Sequence, residues 1–226
     1  IYNRDEGEAL IAQLPDEWVG SATIEWDDVA EQDWVRQTQA QFDPVRVSQR
    51  LWIVPPWHDA PDPAATVIRL DPGLAFGTGS HPTTRLCLRW LDSVSLAGCS
   101  LLDYGCGSGI LAIAAAKLGA APVRATDIDP QAGVATRDNA LANQSEVEFL
   151  DVDCTNGIKA DIVVANILTN PLKVLAPALV GHVAPGGRIA LSGILEEQEA
   201  EVIAAYAPLV RLVRFALEDG WTCLTG

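Results

Sequence analysis

Gly105, Gly107 and Gly109, in LLDYGCGSGILAI, follow directly on a short apolar run and precede an alanine-rich one. Glycines so spaced let a chain turn sharply and bring backbone N–H groups close to a ligand at the start of a helix. A dinucleotide fingerprint reads G-x-G-x-x-G, and here the third glycine comes one residue early. Taken alone, the glycines fit a tight strand-to-helix turn equally well. A second feature separates the readings: Asp127 closes the next apolar run, VRATDIDP, 22 residues past Gly105, where a carboxylate can accept both hydroxyls of a ribose. Asp129 precedes Pro130 and reads as the N-cap of the following helix. Asp153, in VEFLDVDC, can accept from an adenine amine, with a solvated loop acid as the equal alternative. Strand, glycine turn, helix and acid together favour a nucleoside site.

Two further stretches carry polar groups where chemistry needs them. DIVVANIL ends in Asn166, which can cap the turn that follows. In a pocket holding a methyl donor, its side-chain carbonyl can instead accept an amine N–H and aim the nitrogen lone pair. Upstream, LDPGLAFGTGSHPTT sets glycines, His81, Thr83 and Thr84 ahead of a helix. Only three histidines exist, at 58, 81 and 182, and none has ligand spacing, so His81 reads as a residue that fixes its loop and no metal is expected.

Parallel strands with helices on both faces would position these residues. From Val67 onward, short β-rich runs alternate with alanine-rich ones: LLDY, ILAIAAAKLG; VRATDI, PQAGVATRDNALAN; VEFLDV; DIVVANI, PLKVLAPALVGHV; GRIALSG, LEEQEAEVIAAYA. That alternation predicts an α/β, doubly wound, mostly parallel sheet. The final LVRLVRFALEDGWTCLTG has a D-G turn and no helix, so the sheet is expected to end in an antiparallel hairpin. Before this region, residues 5–14 read as a polar helix, 21–26 as a strand and 28–41 as an acidic helix. VRVSQRLWIVPPW then leads into a proline cluster, a stiff turn.

Composition bounds the function. The 226 residues are 49% hydrophobic, enough for a full core, and no run of about eighteen apolar residues exists, so no membrane span is expected. Thirty acidic against fifteen basic residues give a net charge of −15, which repels a phosphate backbone and suits a cationic partner. Direct nucleic-acid binding is therefore not expected. Five cysteines without paired spacing fit a reducing cytoplasm.

LDPGLAFGTGSHPTT, LLDYGCGSGILAIAAAKLGA, DIDPQA, DNA, KADIVVANIL and LSGIL, in this order over residues 67–226, resemble the bacterial methyltransferases of large-subunit ribosomal protein eleven. The resemblance implies a Rossmann-like, class I methyltransferase domain over 64–226 with a seven-stranded sheet, using S-adenosylmethionine to methylate amines of a basic ribosomal protein. By motif, it puts cofactor contacts on Thr84, Gly105, Asp127 and Asn166. Gly107, Asp153 and Phe76 join them, Phe76 at the start of a glycine lid, 77–79. Asn166 is the residue expected to act on the attacking amine. The resemblance further implies that residues 1–26 match the last helix and strand of an α+β recognition domain whose first half is absent, with a linker over 27–63. The rival readings are another class I amine methyltransferase acting on a small molecule, a nucleobase or another protein; a nicotinamide-dependent oxidoreductase, which the glycine spacing disfavours; and a cofactor-binding scaffold without activity, which Asn166 and Thr84 disfavour.

Overall fold

The computed structural model describes residue 13, residues 43–70 and residues 81–226. The helices and strand expected before residue 42, together with Phe76 and the glycine lid, lie outside the described residues. The chain divides into two units, Ile1–Gln41 and Phe42–Gly226, and the features below belong to the second.

Within it, a small sheet comes first: β1 (Val45–Arg46), β2 (Leu51–Val54) and β3 (Thr66–Arg69), in that order, with β2 and β3 parallel. β1 and β2 fall inside the segment read from sequence as linker. Leu51, Ile53 and Val54 are buried there, as is Ile68 of β3. At the end of β3, Asn143 substitutes for a neighbouring strand. Its Oδ1 accepts from the Arg69 N–H at 2.7 Å, and its Nδ2 donates to the Arg69 carbonyl at 2.6 Å.

The large sheet follows. Its strands are β4 (Leu101–Tyr104), β5 (Val123–Asp127), β6 (Glu148–Asp151), β7 (Ala160–Asn166), β8 (Val183–Leu195), β9 (Val213–Glu218) and β10 (Trp221–Thr225). They lie in the order β6-β5-β4-β7-β8-β10-β9, and β10 runs antiparallel to both its neighbours. The hairpin expected at the D-G turn is present, with Asp219 and Gly220 both at positive φ, 50° and 78°, the pattern of a type I′ turn. Alternate residues of β4 feed two cores: Leu101 packs in one and Leu102 in the other. Burial on both faces is why the parallel strands read as unbroken apolar runs.

The helices are α1 (Pro82–Ser93), α2 (Ile110–Lys117), α3 (Pro130–Ala142), α4 (Thr169–Val174), α5 (Ala176–His182) and α6 (Glu199–Tyr206). α2 is buried from Ile110 through Ala115, consistent with its lack of a polar face. PLKVLAPALVGHV, expected as one helix, is two. The chain breaks at Leu175 because Pro177 has no N–H to bond the carbonyl of Lys173 and its ring crowds that carbonyl. Chain order reverses between β4 and β7, so the crevice for a ligand opens at their carboxyl ends.

Candidate functional site

A cleft of about 1520 Å³ lies at that crevice. Thr84, Gly105, Gly107, Asp127, Asp153 and Asn166, six of the seven residues singled out from sequence, all line it. The seventh, Phe76, is outside the described residues.

The glycine turn is held from both sides. The N–H groups of Gly105 and Cys106 donate to the Thr126 carbonyl at 2.8 and 3.1 Å. Behind the turn, α3 supplies Thr136, whose hydroxyl donates to the Gly107 carbonyl, and Asn139, whose Nδ2 donates to the Ser108 carbonyl at 2.9 Å. Sequence reasoning assigned no role to Thr136 or Asn139. Their partners lie some thirty positions earlier in the chain, a separation that only the folded sheet closes.

Asp127, at the end of β5, is oriented by the same turn. Its Oδ2 accepts from the Gly107 N–H at 2.9 Å and its Oδ1 from the Asp129 N–H at 3.0 Å. Each oxygen keeps lone-pair capacity toward the cleft, which a vicinal diol can fill. Asp129 caps α3 as expected, accepting from the Gln131 N–H. Asp153 sits in a single 3-10 turn, Val152–Thr155, beside Phe149 and Val152 at the far end of the cleft.

Asn166 is fixed by close packing around the peptide that follows it. A Cβ on Gly105 would lie 2.4 Å from Ile167 Cγ2, and one on Gly193 would lie 2.2 Å from the Ile167 carbonyl oxygen. Ile167 is thus pinched between the glycine turn and β8, which ties the end of β7 to the cradle. The Asn166 Nδ2 donates to Thr84 Oγ1 at 3.3 Å, and Oδ1 has no hydrogen-bond partner among the described residues. His81 caps α1, with Nδ1 2.8 Å from Thr83 Oγ1, and its ring meets Trp221 edge-on at 5.0 Å. The loop that His81 is expected to fix lies outside the described residues. Among the described residues, no group of three or more His, Cys, Asp or Glu side chains can hold a metal. No helix among them is long and apolar enough to cross a membrane.

Asp103 was missed because LLDY reads as ordinary strand. It is buried under the glycine turn, with Oδ2 accepting from the Ala112 N–H at 3.1 Å and Oδ1 unpartnered. Burial, opposed by the Ala112 N–H and aided by the charge of Asp127, pushes its carboxyl from 3.8 up to about 7. Between those values the folded protein holds a proton that the unfolded chain has released. Stability from the neutral carboxyl is therefore full below about pH 4 and lost as pH rises through about 7. The expected loss for the wild type is at most about 4 kcal/mol across that window. Urea unfolding of Asp103→Asn, followed from pH 4.5 to 8, is expected to show a markedly flatter dependence. An unchanged slope would assign the pH dependence to other groups.

The family model described as "Ribosomal protein L11 methyltransferase (PrmA)" matches residues 2–226. A ribosomal protein L11 methyltransferase of Dechloromonas aromatica is 60% identical over 200 residues, covering 88% of this chain and 68% of that protein. The chain thus spans about two thirds of the length of that relative. A solved ribosomal protein L11 methylase from Lactobacillus delbrueckii subsp. bulgaricus superposes with a TM-score of 0.75 at 34% identity, over 81% of this chain and 97% of that one. A 16S rRNA methyltransferase of T. thermophilus, solved with AdoMet and guanosine, shares the fold at 20% identity and TM-score 0.58, over 67% of this chain and 44% of its own.

Proposed function

Because the chain belongs to the ribosomal protein L11 methyltransferase family, we propose that its cleft binds S-adenosylmethionine and that the protein transfers the methyl group to amines of ribosomal protein L11, lysine side chains or the N-terminal amine. When bound, that cofactor supplies an electrophilic methyl on a sulfonium. The observation that carries the reading is the Asn166 carbonyl, free of partners among the described residues, on the same cleft wall as a glycine cradle and an oriented Asp127.

The residues present fit such a cofactor. Gly105 has no room for a side chain on its Ile167 side, so the turn exposes bare backbone. The carboxylate of Asp127, already fixed by two N–H groups, would receive the two ribose hydroxyls. Asp153 would take the adenine amine beside the ring of Phe149, and Phe76, outside the described residues, keeps its sequence-based assignment as a cofactor contact. Gly107 serves the site by holding Asp127. Thr84 lies at the methionine end.

Transfer requires a neutral amine, and a free lysine, with a pKa of about 10.4, is almost wholly protonated at neutral pH. Ile167, Leu168 and Trp221 on the cleft wall withdraw the amine from water, which favours loss of its proton to solvent. Asn166 Oδ1 would accept one remaining N–H, which orients the amine and leaves its lone pair free for the methyl that a bound cofactor would supply. The net charge of −15 favours encounter with a basic protein. Docking of that protein is assigned to the segment ahead of the large sheet, residues 1–26 foremost, and the chemistry to 64–226.

Two measurements test this. Calorimetry is expected to detect S-adenosylmethionine binding and no NAD binding. Mass spectrometry of ribosomal protein L11 incubated with protein and cofactor is expected to show added methyl mass. Methylation of small amines with L11 untouched would favour the small-molecule reading. Asp127→Ala is expected to weaken cofactor binding by about 1 to 3 kcal/mol, roughly five- to 150-fold, since two charge-assisted contacts vanish together. Unchanged affinity would remove the ribose assignment.

A further inference from the structure

One face of α3 grips main chain at both of its ends. Thr136, Asn139 and Asn143 are spaced three and four residues apart, so they share that face. Thr136 Oγ1 donates to the Gly107 carbonyl at 3.2 Å, and Asn139 Nδ2 to the Ser108 carbonyl at 2.9 Å. At the other end Asn143 takes both main-chain groups of Arg69, at 2.7 and 2.6 Å, and its Nδ2 also donates to the Asn139 carbonyl at 2.9 Å. The helix is thereby fixed between β3 and the glycine turn.

The contact made by Thr136 has a single polarity. A carbonyl oxygen only accepts, so the hydroxyl must donate to Gly107. The lone pairs of Oγ1 are left for the Cys106 thiol, 3.3 Å away, which burial pushes up and so keeps as S–H. Thr136 is fully buried, and a Cβ on Gly109 would lie 2.8 Å from its Cγ2, so the side chain is packed directly against the turn. Gly107, with φ of +52°, has no side chain of its own to resist rotation. It is fixed by what it bonds: its carbonyl to Thr136, and its N–H to Asp127 Oδ2 at 2.9 Å.

We propose that Thr136 is a positioning residue for the cofactor's ribose: by holding the Gly107 carbonyl, it keeps the Gly107 N–H on Asp127 and the carboxylate turned toward the vicinal diol. This rests on the reading of the cleft as an S-adenosylmethionine site with Asp127 at the ribose. Thr136 is buried behind the turn and is not among the residues that line the cleft, so its effect on binding passes through Gly107. A threonine that only packed α3 against the turn would set stability and leave affinity alone.

Thr136→Val keeps the shape and removes the donor, and Thr136→Ser keeps the donor. In the full chain, calorimetry gives the S-adenosylmethionine dissociation constant, single-turnover methylation of purified ribosomal protein L11 gives the saturated rate, and circular dichroism with urea unfolding reports the fold. Thr136→Val is expected to weaken cofactor binding by about five- to tenfold with the saturated rate within about twofold of wild type, because the ribose does not react. Thr136→Ser is expected to return most of the affinity. In Asp127→Ala there is no carboxylate to aim, so adding Thr136→Val is expected to change affinity by less than about twofold. Thr136→Ala repeats the comparison should Thr136→Val not fold.

Wild-type affinity in a folded but less stable Thr136→Val protein would overturn the proposal and leave Thr136 as a packing residue. So would losses that multiply with Asp127→Ala, or a slowed saturated rate at unchanged affinity. An Asp127→Ala protein that binds the cofactor as tightly as wild type would overturn the ribose assignment, and this proposal with it.

Discussion

Replacing Asn166 by alanine is expected to slow methyl transfer by about two to three orders of magnitude at saturating S-adenosylmethionine, with cofactor affinity changed only a few-fold. The expected split follows from where Asn166 sits. Its backbone ends β7, and the next residue is held independently of the Asn166 side chain, the Ile167 side chain against Gly105 and the Ile167 backbone against Gly193. Cutting back the amide therefore leaves the cradle in place. What disappears is an acceptor whose value is greatest when the amine nitrogen is aligned with the methyl, an interaction made mainly in the transition state. Asp127→Ala should give the opposite pattern, because its two oxygens are oriented by the Gly107 and Asp129 N–H groups toward a part of the cofactor that does not react. Single-turnover rates and binding isotherms on the two variants measure the contrast. A near-normal saturated rate for Asn166→Ala would take the residue out of the chemistry and leave it as a contact.

The residues that were legible in the sequence are those whose function depends on strand ends. Parallel strands buried on both faces are short, largely apolar runs, and a glycine or polar residue stands where each meets the signals of the turn or helix that follows: Gly105 after LLDY, Asp127 closing VRATD, Asn166 closing ADIVVAN. In a doubly wound sheet these ends converge, and the structure brings them to one cleft. What escaped depends on contacts between distant segments. Asn143 clamps Arg69 across 74 positions, and nothing local distinguishes it from a helix C-cap, which it also is. Thr136 and Asn139, the latter within the DNA motif, lie in α3 with partners some thirty positions away, so the sequence assigns neither a role. Asp103 looks like an interruption in an apolar strand, and its burial and unpartnered oxygen emerge only once α2 covers it. β1 and β2 were obscured by the proline cluster beyond them, although VRVSQRLWIV does place apolar residues where Val47, Leu51, Ile53 and Val54 are buried.

Gly193→Ala is expected to be the most damaging single methyl group that can be added to this protein's cleft. Gly193 in LSGIL has φ of +87°, a conformation that L side chains rarely adopt. By itself that costs about 1 to 2 kcal/mol. β8 also runs so close to β7 that a Cβ at this position would lie 2.2 Å from the Ile167 carbonyl oxygen and 2.7 Å from its carbon. Backbone atoms cannot swing aside as a side-chain tip can, so β8 and the end of β7 must separate. Ser192 is the register partner of Asn166, and the separation therefore displaces the residue that aims the amine. Gly186 provides the control: it lies in the same strand with φ of +79°, but nothing stands within 4 Å of its would-be Cβ. Gly186→Ala is expected to carry the conformational cost alone and to keep the methyl-transfer rate. Gly193→Ala is expected to lose about 3 kcal/mol or more of stability, with the rate falling at least as far as in Asn166→Ala. Urea unfolding and single-turnover methylation on both proteins check it. Equal losses in the two variants would mean that backbone conformation, not the approach of β8 to Ile167, is what Gly193 provides.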